Sequence, residues 1–271
     1  MRSMTRRTAL GFSIMTALAL CQSGPRGRDE WKAFLGWANG LSPDAFPASG
    51  LTLLDAYRKK LIEDGVSSAD ADQVVTRLRE YAKSNPEPFS TLFYNKQYAS
   101  RNPIYSTAPN AFLVEVVQEL RPGRALELGI GDGRNVIFLA QRGWDVTGID
   151  LAEVGVAKAK KRAADLGLKI NASVQDADKF DFRTQQWDLI SLLYFSGYPY
   201  LHDAEKRIAN SLRLGGYIIG EGPDTNPKDL TDGLEVWEPL GITVLRLEYH
   251  AKKADWGQPG FSRMLLRKGS A

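Results

Sequence analysis

A chain of 271 residues exceeds the usual size of one domain, and its 43% apolar and 25% charged residues are the balance of a globular protein able to bury a core without staples. Thirty-five basic against 32 acidic residues leave a formal charge of +3, too even for the strongly basic footprint of a nucleic-acid binder. With one cysteine, Cys21, and two histidines, His202 and His250, the chain has no intrachain disulfide, no multi-cysteine metal site and no cysteine triad, and a histidine-rich metal centre is not expected.

Arg2, Arg6 and Arg7 precede an apolar run from Ala9 to Leu20, and Ala17-Leu18-Ala19 places small residues at alternate positions. A charged start, a short apolar stretch and an A-x-A site are the pattern of an export signal. The run is shorter than the roughly 20 apolar residues that span a bilayer, so no stable membrane span is expected in the mature chain. Thr5-Arg6-Arg7 has the form of a twin-arginine signal. Residues 1–30 are therefore read as a signal-like segment that directs export, periplasmic delivery included. A start at Met4 or Met15, leaving a cytoplasmic protein, is the alternative.

Residues 31–90 read as a small helical extension. Leu51, Leu54, Tyr57, Leu61 and Ile62 recur at helical spacing. After Gly65, Ser67 or Ser68 can cap a second helix whose stripe is Val74, Val75, Leu78 and Tyr81. Trp31, Phe34 and Trp37 form another stripe, expected to pack onto the main domain. Asn85-Pro86-Glu87-Pro88 is expected to be a linker.

Residues 91–271 alternate strand and helix. Asn110 to Leu120 is expected to be helical, Ala125 to Leu128 a buried strand, Asn135 to Gln141 a helix, Asp145 to Ile149 a strand and Glu153 to Leu166 a helix. Ile170 to Val174 and Asp188 to Tyr194 are the next strands. Ala204 to Leu212 is a helix, Gly215-Gly216 a turn, and Tyr217 to Gly220 a fifth strand. Ile242 to Tyr249 and Phe261 to Arg267 finish the chain as an antiparallel pair. This order predicts an α/β, Rossmann-like doubly wound sheet, mostly parallel with an antiparallel carboxyl-terminal finish.

The chemistry-bearing residues fall at strand ends, where open parallel sheets bind ligands. Glu127-Leu128-Gly129-Ile130-Gly131-Asp132-Gly133 closes the first strand and opens a helix. Gly129, Gly131 and Gly133 allow dihedrals and close approaches closed to other residues, and Glu127 can accept from an ammonium group. Asp150 closes the second strand beside Leu151, and its carboxylate can accept from both hydroxyls of a ribose. Asp176 and Ala177 follow the third strand, where a carboxylate can accept from an adenine amine. Together these positions suit a methionine tail, a ribose and an adenine. After the fourth strand, Tyr194, Phe195, Tyr198, Tyr200 and His202 lie where an acceptor would sit. Tyr194 and His202 are the candidate catalytic residues, His202 as a general base near neutral pH. Glu221, closing the fifth strand, is a further candidate for touching an acceptor.

Ala125 to Asn135, Val146 to Leu151, Val174 to Ala177 and Leu212 to Gly222 resemble the successive motifs of class I S-adenosylmethionine-dependent methyltransferases. Phe93 to Leu113, with Tyr94-Asn95-Lys96-Gln97-Tyr98-Ala99 and Tyr105-Ser106-Thr107-Ala108-Pro109-Asn110, resembles the leading segment of the tellurite-resistance and thiopurine-type branch. The resemblance implies S-adenosyl-L-methionine as cofactor and methyl transfer to a small-molecule acceptor, a thiol, chalcogen oxyanion or similar soft nucleophile being favoured. It carries Glu127 and the glycines to the methionine end, Asp150 to the ribose, and Asp176 with Ala177 to the adenine. Ile130 departs from the branch, which often has a small residue or cysteine there, and is expected to alter packing more than binding. Two other readings stay open. One is a cofactor-binding protein without turnover. The other is a nicotinamide dehydrogenase, against which the third glycine comes one residue early and Asp132 sets a negative charge where a pyrophosphate would lie.

Overall fold

The structure, a computed structural model, describes residues 26–101, 105–195, 201–223, 235–251 and 260–269. The twin-arginine pattern, the small residues Ala17 and Ala19, and Tyr198 and Tyr200 lie outside the described residues. The chain divides into two compact units, residues 1–101 and 102–271. No helix among the described residues is long and apolar enough to cross a membrane.

The first unit is helical: α1 (Arg26–Gly40), a short turn at Pro43–Ala45, α2 (Gly50–Glu63), α3 (Ser68–Ser84) and α4 (Pro86–Ala99). Ser49 and Ser67 accept from the backbone N–H groups of Thr52 and Asp70 and so start α2 and α3. The stripe of Trp31, Phe34 and Trp37 packs inside this unit. Phe34 meets Tyr57 with ring centroids 5.2 Å apart, and Trp37 meets the same ring at 4.9 Å. Leu53, Leu61, Val74 and Leu78 complete that core. The expectation that the aromatic stripe would pack on the main domain is thus replaced by a core of the unit's own.

The Asn85–Pro88 segment is no linker. Pro86 stands in the first turn of α4, where a fixed φ suits the helix and the missing N–H has no partner to lose. The unit accordingly runs past residue 90. Lys96 Nζ donates to the carbonyls of Asn39 and Leu41, both at 2.7 Å, and Asp44 accepts from the backbone N–H of Arg101 at 2.8 Å.

The second unit holds α5 (Ala111–Val117), β1 (Arg124–Leu128), α6 (Arg134–Gln141), β2 (Asp145–Asp150), α7 (Glu153–Asp165), β3 (Asn171–Val174), β4 (Trp187–Leu193), α8 (Ala204–Ser211), β5 (Leu212–Pro223), β6 (Ile242–His250) and β7 (Phe261–Lys268). The seven strands lie in the order β3-β2-β1-β4-β5-β7-β6. β1 pairs in parallel with β2 and β4, β2 with β3 and β4 with β5, while β7 runs antiparallel between β5 and β6. The expected sheet is therefore present. Gly215-Gly216 lies inside β5, at an irregularity in its pairing with β4, where Gly215 has φ +80°.

Both faces of the sheet are covered, which is why β4 reads as an apolar run. Phe112, Leu113, Val136, Val156 and Leu189 build the core on one face. Leu126, Leu128, Ile190, Ile208 and Trp237 build it on the other. The strand order reverses between β1 and β4, so the carboxyl end of β1 stands at the switch point of the sheet.

Candidate functional site

The turn after β1 is held by the neighbouring strand. The N–H groups of Gly129 and Ile130 both donate to the Ile149 carbonyl, at 2.8 and 3.2 Å. Gly129 has φ +76°, and a Cβ there would lie 3.0 Å from the Phe195 ring, so this residue is glycine on two counts. A Cβ on Gly133, which has φ +88°, would meet Ala159 at 2.7 Å, blocking the approach of α7 to the start of α6. Ile130 is buried over Gly148, where a Cβ would fall 2.3 Å from its side chain. Its side chain is thus accommodated by a glycine on β2.

Asp150 sits beneath the turn. One carboxylate oxygen accepts from the Gly131 N–H and the other from the Ala152 N–H, each at 2.8 Å. Burial pushes its carboxyl up from the usual range, opposed by the N–H groups of Ala152, Gly131 and Leu151. A carboxylate has about four acceptor positions, so acceptor capacity remains beyond these backbone donors. Asp176 turns the chain after β3, accepting from the Asp178 N–H at 2.9 Å and pairing with Lys179 at 3.0 Å, beside the buried Ala177. Asp132 is paired with Arg162 at 2.9 Å. The carboxylate weighed against a pyrophosphate therefore has a guanidinium partner within the protein.

Glu127 is the unusual residue. It is 1% exposed. Asn135 Nδ2 donates to its Oε1 at 2.7 Å, while its Oε2 is buried with no hydrogen-bond partner among the described residues. Burial raises its carboxyl to about 8, against the pull of the Asn135 amide and of the nearby Arg134 guanidinium. An unmet buried acceptor at the head of a glycine turn calls for a donor that the described residues do not supply.

A chain of buried polar groups starts from Glu127. Asn135 Oδ1 accepts from the Asn110 N–H at 2.8 Å. Asn110 Nδ2 donates to Glu221 Oε1 at 2.6 Å, and Arg263 Nε donates to Glu221 Oε2 at 2.6 Å. The Arg263 guanidinium lies over Phe112 and Phe261, 5.2 and 5.0 Å from the ring centroids. Glu221, a candidate for touching an acceptor, thus has both oxygens engaged within the protein. Asn110, Arg134, Asn135 and Arg263 were not singled out from the sequence. A signal existed for two of them: Arg134 and Asn135 occupy the first turn of α6 on its buried side, where an apolar stripe would be the rule.

Tyr194, directly after β4, has φ +57°, a costly conformation for a bulky side chain, and its N–H donates to the Glu221 carbonyl at 2.6 Å. His202 is elsewhere. Its side chain is 85% exposed, with Nδ1 2.7 Å from Asp178 Oδ2, and its N–H donates to Asp178 Oδ1 at 2.8 Å. That holds it beside the loop after β3, near Asp176. The structure therefore gathers Glu127, Gly129, Gly131, Gly133 and Asp150 around one turn, with Leu151 following Asp150 directly. Asp176 and Ala177 stand on the loop after β3.

A family model described as a methyltransferase domain matches residues 125–216. The ubiquinone biosynthesis O-methyltransferase of Bordetella avium is 28% identical over 127 residues, 45% of this chain and 53% of that protein. An uncharacterized methyltransferase of Bacillus subtilis is 28% identical over 145 residues, 51% of this chain and 61% of that one. The chain spans less than two thirds of the length of these curated relatives. Among solved structures, that of a putative methyltransferase from Bacillus halodurans superposes with a TM-score of 0.51 at 13% identity, covering 59% of this chain and all of the other. That likeness concerns the fold. The methyltransferase-domain match falls within the second unit, on the segment that carries the glycine turn of β1 and the parallel strands β1 to β4, and the fold of that unit is the one the Bacillus halodurans structure shares.

Proposed function

We propose that this protein transfers the methyl group of S-adenosyl-L-methionine to a small-molecule acceptor with a soft nucleophile, a thiol or chalcogen oxyanion. The observation that carries the cofactor end is the buried, unmet Oε2 of Glu127 at the head of the β1 turn. Glu127 would take the ammonium, the Gly129–Gly133 turn would let the backbone approach the methionine end, Asp150 would accept from the ribose, and Asp176 with Ala177 would border the adenine. When bound, the cofactor supplies an electrophilic methyl group. The protein's own contribution is to orient and to exclude water. Phe195 packs against Gly129, and the strained Tyr194 fixes the segment that leaves β4, so aromatic residues border the turn where an acceptor would approach. A soft nucleophile needs no strong base, and alignment of the reacting atoms can supply much of the rate. His202, exposed and tied to Asp178, is assigned to holding the loop after β3 to the start of α8.

Within the class, we place the chain in the tellurite-resistance and thiopurine-type branch. Support comes from Asn110, which closes the segment bearing that resemblance and is bonded into the site. Calorimetry on the full-length protein should show S-adenosylmethionine and S-adenosylhomocysteine binding in the micromolar range, with no dinucleotide binding. A methyl-transfer screen against thiols, chalcogen oxyanions, phenols and amines should then find turnover among the first two. Cofactor binding with no transfer to any class would make the protein a binder without turnover. Dinucleotide binding alone would overturn the reading. We also propose that residues 1–30 direct export. Fractionation of the native host with amino-terminal sequencing should find a chain trimmed near Ala19 in the envelope, and full-length protein confined to the cytoplasm would refute this.

A further inference from the structure

Asn135 and Asn110 lie end to end between two buried glutamates, and the direction of every bond in the chain is determined. An amide nitrogen only donates and its oxygen only accepts. Asn135 turns Nδ2 to Glu127 and Oδ1 to the Asn110 N–H. Asn110 turns Nδ2 to Glu221 and Oδ1 to the Leu113 N–H, the bond that starts α5. Flipping either amide would set oxygen against carboxylate and lose the backbone bond as well. Glu221 is secured at the far end by Arg263. Asn110 is 0% exposed and Asn135 4%, so water cannot readily stand in for a lost partner.

The two ends of this chain are not equivalent. Glu221 has both oxygens occupied, whereas Glu127 has Oε1 occupied and Oε2 unmet. Arg134, the first residue of α6, is near enough to act on Glu127 electrostatically. Without the Asn135 amide, the Glu127 carboxyl would be free to rotate toward that guanidinium and, once ionised, to pair with it in place of a ligand ammonium. We propose that Asn135, backed by Asn110, is a positioning residue for the cofactor's amino-acid end: it holds Glu127 by one oxygen so that the other faces the ammonium. The inference rests on the cofactor reading above and adds the residues that make the ammonium site selective.

The experiment compares two nucleosides on the full-length protein by calorimetry. S-adenosylhomocysteine carries the ammonium, while 5′-methylthioadenosine has the same adenosine and thioether without the amino-acid end. Asn135→Ala should weaken S-adenosylhomocysteine binding by about tenfold or more, as expected for a lost hydrogen bond to a charged group, and leave 5′-methylthioadenosine binding at the parent value. Asn110→Ser, which keeps an oxygen to start α5 but removes the amide donor, should show the same selectivity with a smaller factor. If the alanine variant does not fold, Asn135→Ser carries the test. Equal losses for both nucleosides would mean a purely structural role and overturn the proposal, as would unchanged S-adenosylhomocysteine binding. A parent protein that binds both nucleosides equally would show that the ammonium is not read, overturning this inference while sparing the adenosine site. A parent that binds neither would refute the cofactor reading and this inference with it.

Discussion

Glu127 and Glu221 are the same side chain at almost the same depth, 1% and 5% exposed, joined through the same pair of asparagines. Glu221 is closed from within: one oxygen goes to Asn110, the other to a guanidinium gripped between two phenylalanine rings. Glu127 is left half made, with an amide on one oxygen and no hydrogen-bond partner on the other among the described residues. Burial alone does not tell a closed carboxylate from an open one. What separates them is whether the protein supplies the cation. Where it does, the pair holds β5 to β7; where it does not, the folded chain keeps a buried acid with one oxygen unmet among the described residues, which is the feature the proposed cofactor site is built on.

The largest test of this contrast is to open the closed end. Arg263→Met leaves Glu221 buried without its cation, and removal of one partner of a buried pair costs about 3–5 kcal/mol. The denaturant midpoint should fall accordingly, and Glu221→Gln added to it should restore much of the loss. A change under about 1 kcal/mol, the level of an exposed pair, would show that the two glutamates differ less than their contacts suggest.

Glu127→Gln should do the reverse. S-adenosylhomocysteine affinity should drop by roughly 10- to 150-fold, from a lost bond between charged groups of about 1.5–3 kcal/mol. The unbound protein should lose nothing at neutral pH and gain above it. The folded state holds the Glu127 proton up to about 8, while its ordinary value is 4.5. Folding therefore takes up a proton between those values, and this residue's contribution to stability falls as pH rises through that window, levelling off above it. Arg134 pulls the upper limit down and Asp150 pushes it up. Denaturant midpoints across that range should show the slope in the parent and a flatter profile in Glu127→Gln; identical profiles would remove Glu127 as its source.

Asp150→Ala should weaken both S-adenosylhomocysteine and 5′-methylthioadenosine, by about tenfold, since the ribose is common to both. Loss confined to the first nucleoside would move the ribose away from the end of β2. His202→Ala should have the smallest effect, within about 0.5 kcal/mol of the parent in stability, as for a surface change, with cofactor affinity unchanged. The carboxyl of Asp178 is held below its ordinary range chiefly by the His202 backbone N–H, which alanine retains. If methyl transfer instead collapsed with binding intact, His202 would regain the role of base.

What the amino-acid sequence alone determined here is what periodicity and short-range chemistry encode. The alternation of strands and helices, the glycine turn after β1 and the carboxylates at successive strand ends all lie in segments whose meaning is complete within a few residues, so the α/β sheet and Asp150 beside its turn were legible. Pro86 shows the limit even locally, since the same proline suits a linker or the first turn of a helix, and the choice fell to Phe89 and Phe93 packing into the first unit's core. The Trp31–Phe34–Trp37 stripe announced burial without saying against what. The bonds that separate Glu127 from Glu221 were beyond reach: Asn110 lies 25 residues from Asn135 and 111 from Glu221, and Arg263 lies 42 beyond Glu221. Hydropathy patterns reveal which side chains turn inward, but the partner of a buried polar group is set by strand order and register. Only the antiparallel insertion of β7 between β5 and β6 brought Arg263 opposite Glu221, and so decided which of the two acids stayed open.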